Sequence, residues 1–244
     1  MTTTRGAPLS PVRLFPPSRL TRLVAGRGPL PAGRLTKLYT GLLLYGVTDG
    51  MLIRADLGLD PWDVFHQGLS RYTGIAIGNV SILVGALVLL LWWPLRQRPG
   101  LGTVSNVFLV GGAIDVTLAL LPHIEALSGR IPLLVAAVTG NGAATGLYIA
   151  ARFGPGPRDG LMTGLHRRTG RSLRLIRTAI ELTVLAVGFA LGGGVGVGTV
   201  LYALAIGPLA QFFLRVFGGL EQGTEPSAAA AGPAARERLM ADTI

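Results

Sequence analysis

The chain has no cysteine, one lysine and three histidines in 244 residues. The missing cysteine excludes disulfides, cysteine-ligated zinc and cysteine-ligated iron–sulfur clusters. His66, His123 and His166 are scattered, so no histidine-based metal site is read either, and no cofactor is expected. Charge is scarce: 14% of residues are Asp, Glu, Lys or Arg, against about 25% in soluble domains. Aromatics make up 7%. No nucleophile stands beside a base in a catalytic pattern, and the chain is not expected to be an enzyme.

Apolar residues are abundant instead. Half the chain is hydrophobic, with 36 Gly and 16 Pro, and the mean hydropathy is +0.53. That composition excludes a disordered chain. Gly and Pro are commoner in membrane helices than in soluble ones. Six apolar stretches have spanning length: 36–54, 77–95, 102–121, 131–151, 174–193 and 197–216. A bilayer core of about 30 Å takes roughly 20 helical residues. Residues 1–34 are rich in Arg, Pro and Gly, with no apolar run of signal-peptide length. They read as a disordered basic tail. Residues 218–244 read as a polar low-complexity tail, leaving a membrane domain at 35–217.

The net charge is +10. With a cytoplasmic N-terminus and six crossings, 19 of the 22 Lys and Arg residues fall on the inner side. Only Arg54, Arg71 and Arg130 fall outside. Such a bias follows the positive-inside rule, places both termini in the cytoplasm and accounts for the basic charge without nucleic acid.

The chain repeats itself at an offset of 96 residues. Residues 45–74 align without a gap on 141–170, with 12 of 30 positions identical. The same offset carries Gly100-Leu-Gly-Thr-Val104 onto Gly196-Val-Gly-Thr-Val200, and Gly111 onto Gly207. Each copy holds three spans, about 36–121 and 131–216. An odd number makes the second copy enter from the opposite face, so the repeats are inverted. That is an architecture frequent among secondary transporters. The fold expected is an all-α integral membrane protein of about six transmembrane helices in two inverted three-helix repeats.

Each repeat also carries a short element, "LGLDPWDVFHQGLSRYTG" and "FGPGPRDGLMTGLHRRTG". Pro61 and Pro157 suit a first helical position, which needs no N–H. Asp63 and Asp159 fall in the first turn, at the positive end of the dipole, and Asp60 suits the cap. Gly74 and Gly170 suit the stop. Thirteen residues span about 20 Å, too short to cross. The element is re-entrant, or interfacial with Trp62 as its anchor in the headgroups. Arg158 and its basic neighbours in the second copy read mainly as contacts to anionic lipid; the alternative is a cytoplasmic site for an anionic solute.

Ionisable groups within membrane segments are candidates for function. Asp115 falls mid-span, opposite Gln211 in the repeat. Glu181 follows Arg177 by one turn, a spacing that allows a pair. Asp49 falls near the outer end of the first span, close to water, and Asn141 is mid-span. The candidate pathway is therefore Asp63, Asp159, Asp115, Asp49, Glu181 and Asn141, with Pro61, Trp62 and Pro157 as motif residues. No catalytic residue and no metal ligand is assigned.

"LGLDPWDVFHQGLS" at 57–70, "GPGPRDGL" at 154–161 and "GVGT…GP" at 196–208 resemble the YczE/YitT-like group of bacterial membrane proteins. The resemblance covers about residues 38–216. It implies a multi-pass protein of the bacterial inner membrane and assigns no substrate or reaction. The function expected is transporter-like or permease-like, for a small solute or ion. The alternative is a non-transporting accessory or scaffold of a biosynthetic or export system. The partners expected are the lipid bilayer and that solute, with no nucleic acid; self-association stays open.

Overall fold

A computed structural model describes residues 32–222. Among them are eight helices and no strand: α1 (Ala32–Ala55), α2 (Pro61–Thr73), α3 (Ile77–Trp92), α4 (Leu101–Leu120), α5 (Leu127–Ala150), α6 (Pro157–Thr169), α7 (Leu173–Ala190) and α8 (Val197–Gln222). α1 and α8 run a few residues into the expected tails, whose remainder lies outside the described residues. By length and composition, Leu101–Leu120, Leu127–Ala150 and Val197–Gly218 suffice to cross a membrane. α2 and α3 qualify as a pair, but they turn through 114° at their junction. α3 alone has 16 residues. α1 is diluted by Arg34, Lys37, Asp49 and Arg54, and α7 by Arg174, Arg177 and Glu181.

The outward faces are apolar. Leu90, Trp93, Leu120, Val197 and Leu204 are strongly exposed, while Asp49, Asp60, Asp63 and Asn141 are buried. Water would penalise that arrangement through the exposed apolar area; hydrocarbon does not. The protein is an all-helical membrane protein.

Local chemistry sets the short helices. The Asp60 carboxylate accepts from the Trp62 and Asp63 amides at 2.8 and 3.2 Å, so α2 starts where its proline sits. Gly74 closes α2 with φ 74° and Gly170 closes α6 with φ 66°, in the left-handed region that favours glycine. α6 has Gly156 at the cap and no side-chain cap bond.

The contacts between the halves exchange partners at the 96-residue offset. The Gly198 amide donates to the Leu57 carbonyl at 2.7 Å, and the Gly102 amide to the Phe153 carbonyl at 2.9 Å. Arg34 Nε donates to the Ala151 carbonyl at 3.1 Å, and Arg130 Nε to that of Ala55 at 2.7 Å. α2 packs on α7, and α6 on α3. Each short helix therefore rests on the long helix that follows its counterpart.

One seam differs between the halves. α3 and α4 pack closely: a Cβ added at Gly111 would lie 2.5 Å from the Gly78 carbonyl. Asp115 of α4 accepts from the Gly78 amide at 2.7 Å, so it caps α3 from the neighbouring helix. Gly207 of α8, the counterpart of Gly111, has no atom within 4 Å of the same position. Arg174 and Glu181 stand in α7 where Gly78 and Gly85 allow the close approach in α3. Bulk and charge replace small residues, and the seam opens.

Candidate functional site

A cavity of about 300 Å³ lies where the first turns of α2 and α6 meet. α2 contributes Trp62 and His66 to its wall, with Asp60 just before; α6 contributes Arg158, Asp159 and Met162. Tyr45, Tyr148 and Tyr202 close it from α1, α5 and α8. Arg177, Glu181 and Gln211 line the side opened between α7 and α8.

Arg158 joins the two halves of the wall. The guanidinium lies over the Trp62 ring, 5.0 Å from the centroid, and 3.7 and 3.9 Å from the carboxylates of Asp60 and Asp63. These are loose ion pairs, without hydrogen-bond geometry. Asp49, Asp60 and Asp63 bring one carboxylate oxygen each within 4.8 Å of one another. Asn141 holds Asp49, its Nδ2 2.7 Å from Oδ1, and accepts from the Tyr202 hydroxyl at 3.0 Å. His66 Nδ1 lies 3.1 Å from Asp63 Oδ1. Tyr148 donates to Asp159 at 3.3 Å.

Buried polar atoms without a partner cluster here. They include Oδ2 of Asp49, Asp60 and Asp63, Nε2 of His66 and Nε1 of Trp62. Burial, then the neighbouring Asp63 carboxylate, pushes the Asp60 carboxyl up to about 7. Burial also raises Asp63, with Arg158 opposing. Burial and then Arg158 push the His66 imidazole down to about 3, so the ring is neutral at pH 7. Burial opposes the charge on Arg158, but Asp60 and its acidic neighbours outweigh it, and the guanidinium stays charged.

The structure gathers Asp63, Asp49 and Asn141 into one cluster, with Asp159 and Glu181 on the cavity wall. Pro61 and Pro157 start the two helices that frame it. Three expectations change. Asp49 is fully buried rather than near water, because the bend that follows α1 folds α2 back over it. Trp62 is buried under Arg158 rather than anchored in headgroups. Arg158 faces this cluster rather than lipid. Asp115 is not among the cavity residues, its carboxylate being engaged at Gly78. The sequence reading missed Tyr45, Tyr148, Tyr202 and His66 as wall residues. It also missed the meeting of Trp62 with Arg158, although these occupy the same position in the two copies.

His66 and Asp63 are arranged like the base and orienter of a hydrolytic triad, but burial holds the imidazole far below a useful base. No hydroxyl among the described residues bonds the free Nε2.

No solved structure matches this chain. It is 38% identical to an uncharacterized protein of Haemophilus influenzae, over 75% of this chain and 84% of that relative. It is 33% identical to the uncharacterized membrane protein YczE of Bacillus subtilis, over 74% of this chain and 85% of the relative. With the uncharacterized protein YyaS of the same bacterium it shares 25% identity, over 72% of this chain and 90% of the relative. The model of the family of unknown function DUF6198 matches residues 32–215, the whole helical body apart from the end of α8, and the chain belongs to that family.

Proposed function

We propose that the protein is a permease-like carrier of the bacterial inner membrane, moving a small solute or ion through the cavity between two inverted three-span repeats. In this reading α1, α3, α4, α5, α7 and α8 all cross, both termini are cytoplasmic, and α2 and α6 are re-entrant half-helices. The observation that carries it is the meeting of the two half-helix N-termini at a polar cavity walled by both halves. Half-helix ends aimed at a mid-membrane site are a recurring device of secondary transporters. The exchanged hydrogen bonds at Gly198–Leu57 and Gly102–Phe153 support a two-fold relation between the repeats. No catalytic role, resident cofactor or nucleic-acid partner is part of the proposal.

The test is flux. Purified protein in proteoliposomes on a solid-supported membrane should give saturable transient currents with an expanded solute panel, lost on Arg158→Gln under conditions where circular dichroism shows that variant folded. Absence of any current or tracer uptake, together with a stable co-purifying partner, would replace the carrier with an accessory or scaffold role.

A further inference from the structure

We infer that the solute is a small organic cation whose primary ammonium head docks at Asp60, backed by Asp49 and Asp63. The inference rests on the proposed carrier's cavity but not on transport itself.

The first argument is charge. The cavity and the shell behind it hold five carboxylates: Asp49, Asp60, Asp63, Asp159 and Glu181. They hold two cations, Arg158 and Arg177, and His66 is neutral. Arg177 is committed to Glu181 at 2.8 Å. Arg158 is left to face Asp60 and Asp63, with Asp49 behind them, while Asp159 lies under the influence of both Arg177 and Arg158. The amide ends of α2 and α6 relieve part of this, each within its first turn. Burial already pushes Asp60 and Asp63 toward their protonated forms; an anion entering here would raise that cost, whereas a cation favours the ionised carboxylates. A cation completes the set.

The second argument is hydrogen bonding. Three acidic oxygens, on Asp49, Asp60 and Asp63, are buried without a donor. An ammonium group offers three donors and no acceptor. One carboxylate oxygen from each acid lies within 4.8 Å of the other two, so a single donor group could stand about 2.8 Å from all three, within the roughly 2.7–2.9 Å of charge-assisted N–H···O bonds. Asp60 borders the cavity, and Asp49 and Asp63 lie behind it.

The third argument is the wall. Tyr45, Trp62, Tyr148 and Tyr202 line the same cavity, and aromatic faces attract cations by their quadrupole. The protein's own Arg158 already exploits Trp62 this way. A volume of about 300 Å³ is at the small end of organic-ligand pockets and far exceeds a bare ion.

The probes are n-butylammonium chloride, sodium butyrate and calcium chloride at matched ionic strength, titrated into the full chain in detergent by calorimetry and thermal shift. The expected result is saturable binding of butylammonium alone, weakened at least about tenfold by Asp60→Asn. Asparagine caps as well as aspartate, so this variant keeps the start of α2. If it nevertheless fails to fold, Asp49→Asn is the second variant. Binding of butyrate, binding of calcium alone, or no binding of butylammonium to folded protein overturns the inference. Butylammonium that binds, with no current from any member of the solute panel in proteoliposomes, ends the carrier reading and leaves the cation site standing. Flux of an anion does the reverse.

Discussion

Arg158 and Trp62 hold the same position in the two halves of the chain, 96 residues apart, and their side chains meet, guanidinium 5.0 Å from ring centre. In the proposed two-fold arrangement, equivalent residues touch each other only beside the axis that relates the halves. The basic member of the pair stands beside Asp60 and Asp63. Removing its charge leaves buried carboxylates without a counter-ion. Losing one partner of a buried pair costs on the order of 3–5 kcal/mol. Arg158→Gln should lower the melting temperature in detergent strongly at pH 8 and less at pH 5, where Asp60 is protonated. Adding Asp63→Asn should recover part of the loss. A pH-independent loss would mean that Arg158 acts through packing alone.

Asp60 allows a cleaner pH test. Its carboxyl titrates near 7 when folded and about 3.9 when unfolded. The folded state thus holds the proton more tightly, and Asp60 withdraws stability as pH rises from about 4 to 7, with no further change above. His66, pushed down to about 3, acts with the opposite sign over much of the same range, so the wild-type profile alone is flattened. The difference between Asp60→Asn and wild type isolates the carboxyl. It should grow in favour of the variant from pH 4 to pH 7 and level off. A difference that shrinks with pH would show that Arg158 dominates and that Asp60 is ionised throughout.

The helices were legible because their punctuation is local. Pro61 and Pro157 mark starts, Gly74 and Gly170 mark stops, and the structure begins and ends α2 and α6 there. The Arg177–Glu181 pair was legible for the same reason, as a one-turn spacing. Asp49 and Arg158 were not, since their environment comes from elements far off in sequence. Asp49 meets Asn141, 92 residues away, and Arg158 meets Asp60. Depth along a span predicts contact with water only where nothing folds back over the span end. The repeat offset held a further clue: in the proposed two-fold arrangement some residues meet their own counterparts, as Trp62 meets Arg158.

The two glycines Gly111 and Gly207 form an internal control on packing. A Cβ at Gly111 meets the Gly78 carbonyl at 2.5 Å, too close without movement of α3 against α4. At Gly207 it meets nothing within 4 Å. Gly111→Ala should destabilise the protein measurably. Gly207→Ala should be neutral or slightly stabilising, by up to about 1 kcal/mol from helix propensity. Thermal unfolding of both variants in the same detergent checks this. Equal losses would mean that α7 and α8 close together as tightly as α3 and α4.

The inverted arrangement makes a prediction that needs no ligand. Tyr72 and Arg168 are counterparts near the ends of α2 and α6, and both are exposed. Three crossings separate them in the proposed topology: α3, α4 and α5. An odd number puts them on opposite sides, with Arg168 inside among Arg167, Arg171 and Arg174, as the positive-inside rule requires. The chain has no native cysteine, so single-cysteine variants are clean reporters. Tyr72→Cys should react with an impermeant maleimide on intact cells. Arg168→Cys should react only after the membrane is opened. Exposure of both positions removes burial as a cause of silence. Labelling of both from one side would make the number of crossings between them even. α2 and α3 would then be one bent span, or one of α3, α4 and α5 would not cross. Parallel repeats would no longer aim two half-helix ends from opposite faces, and the carrier reading would lose its geometric basis.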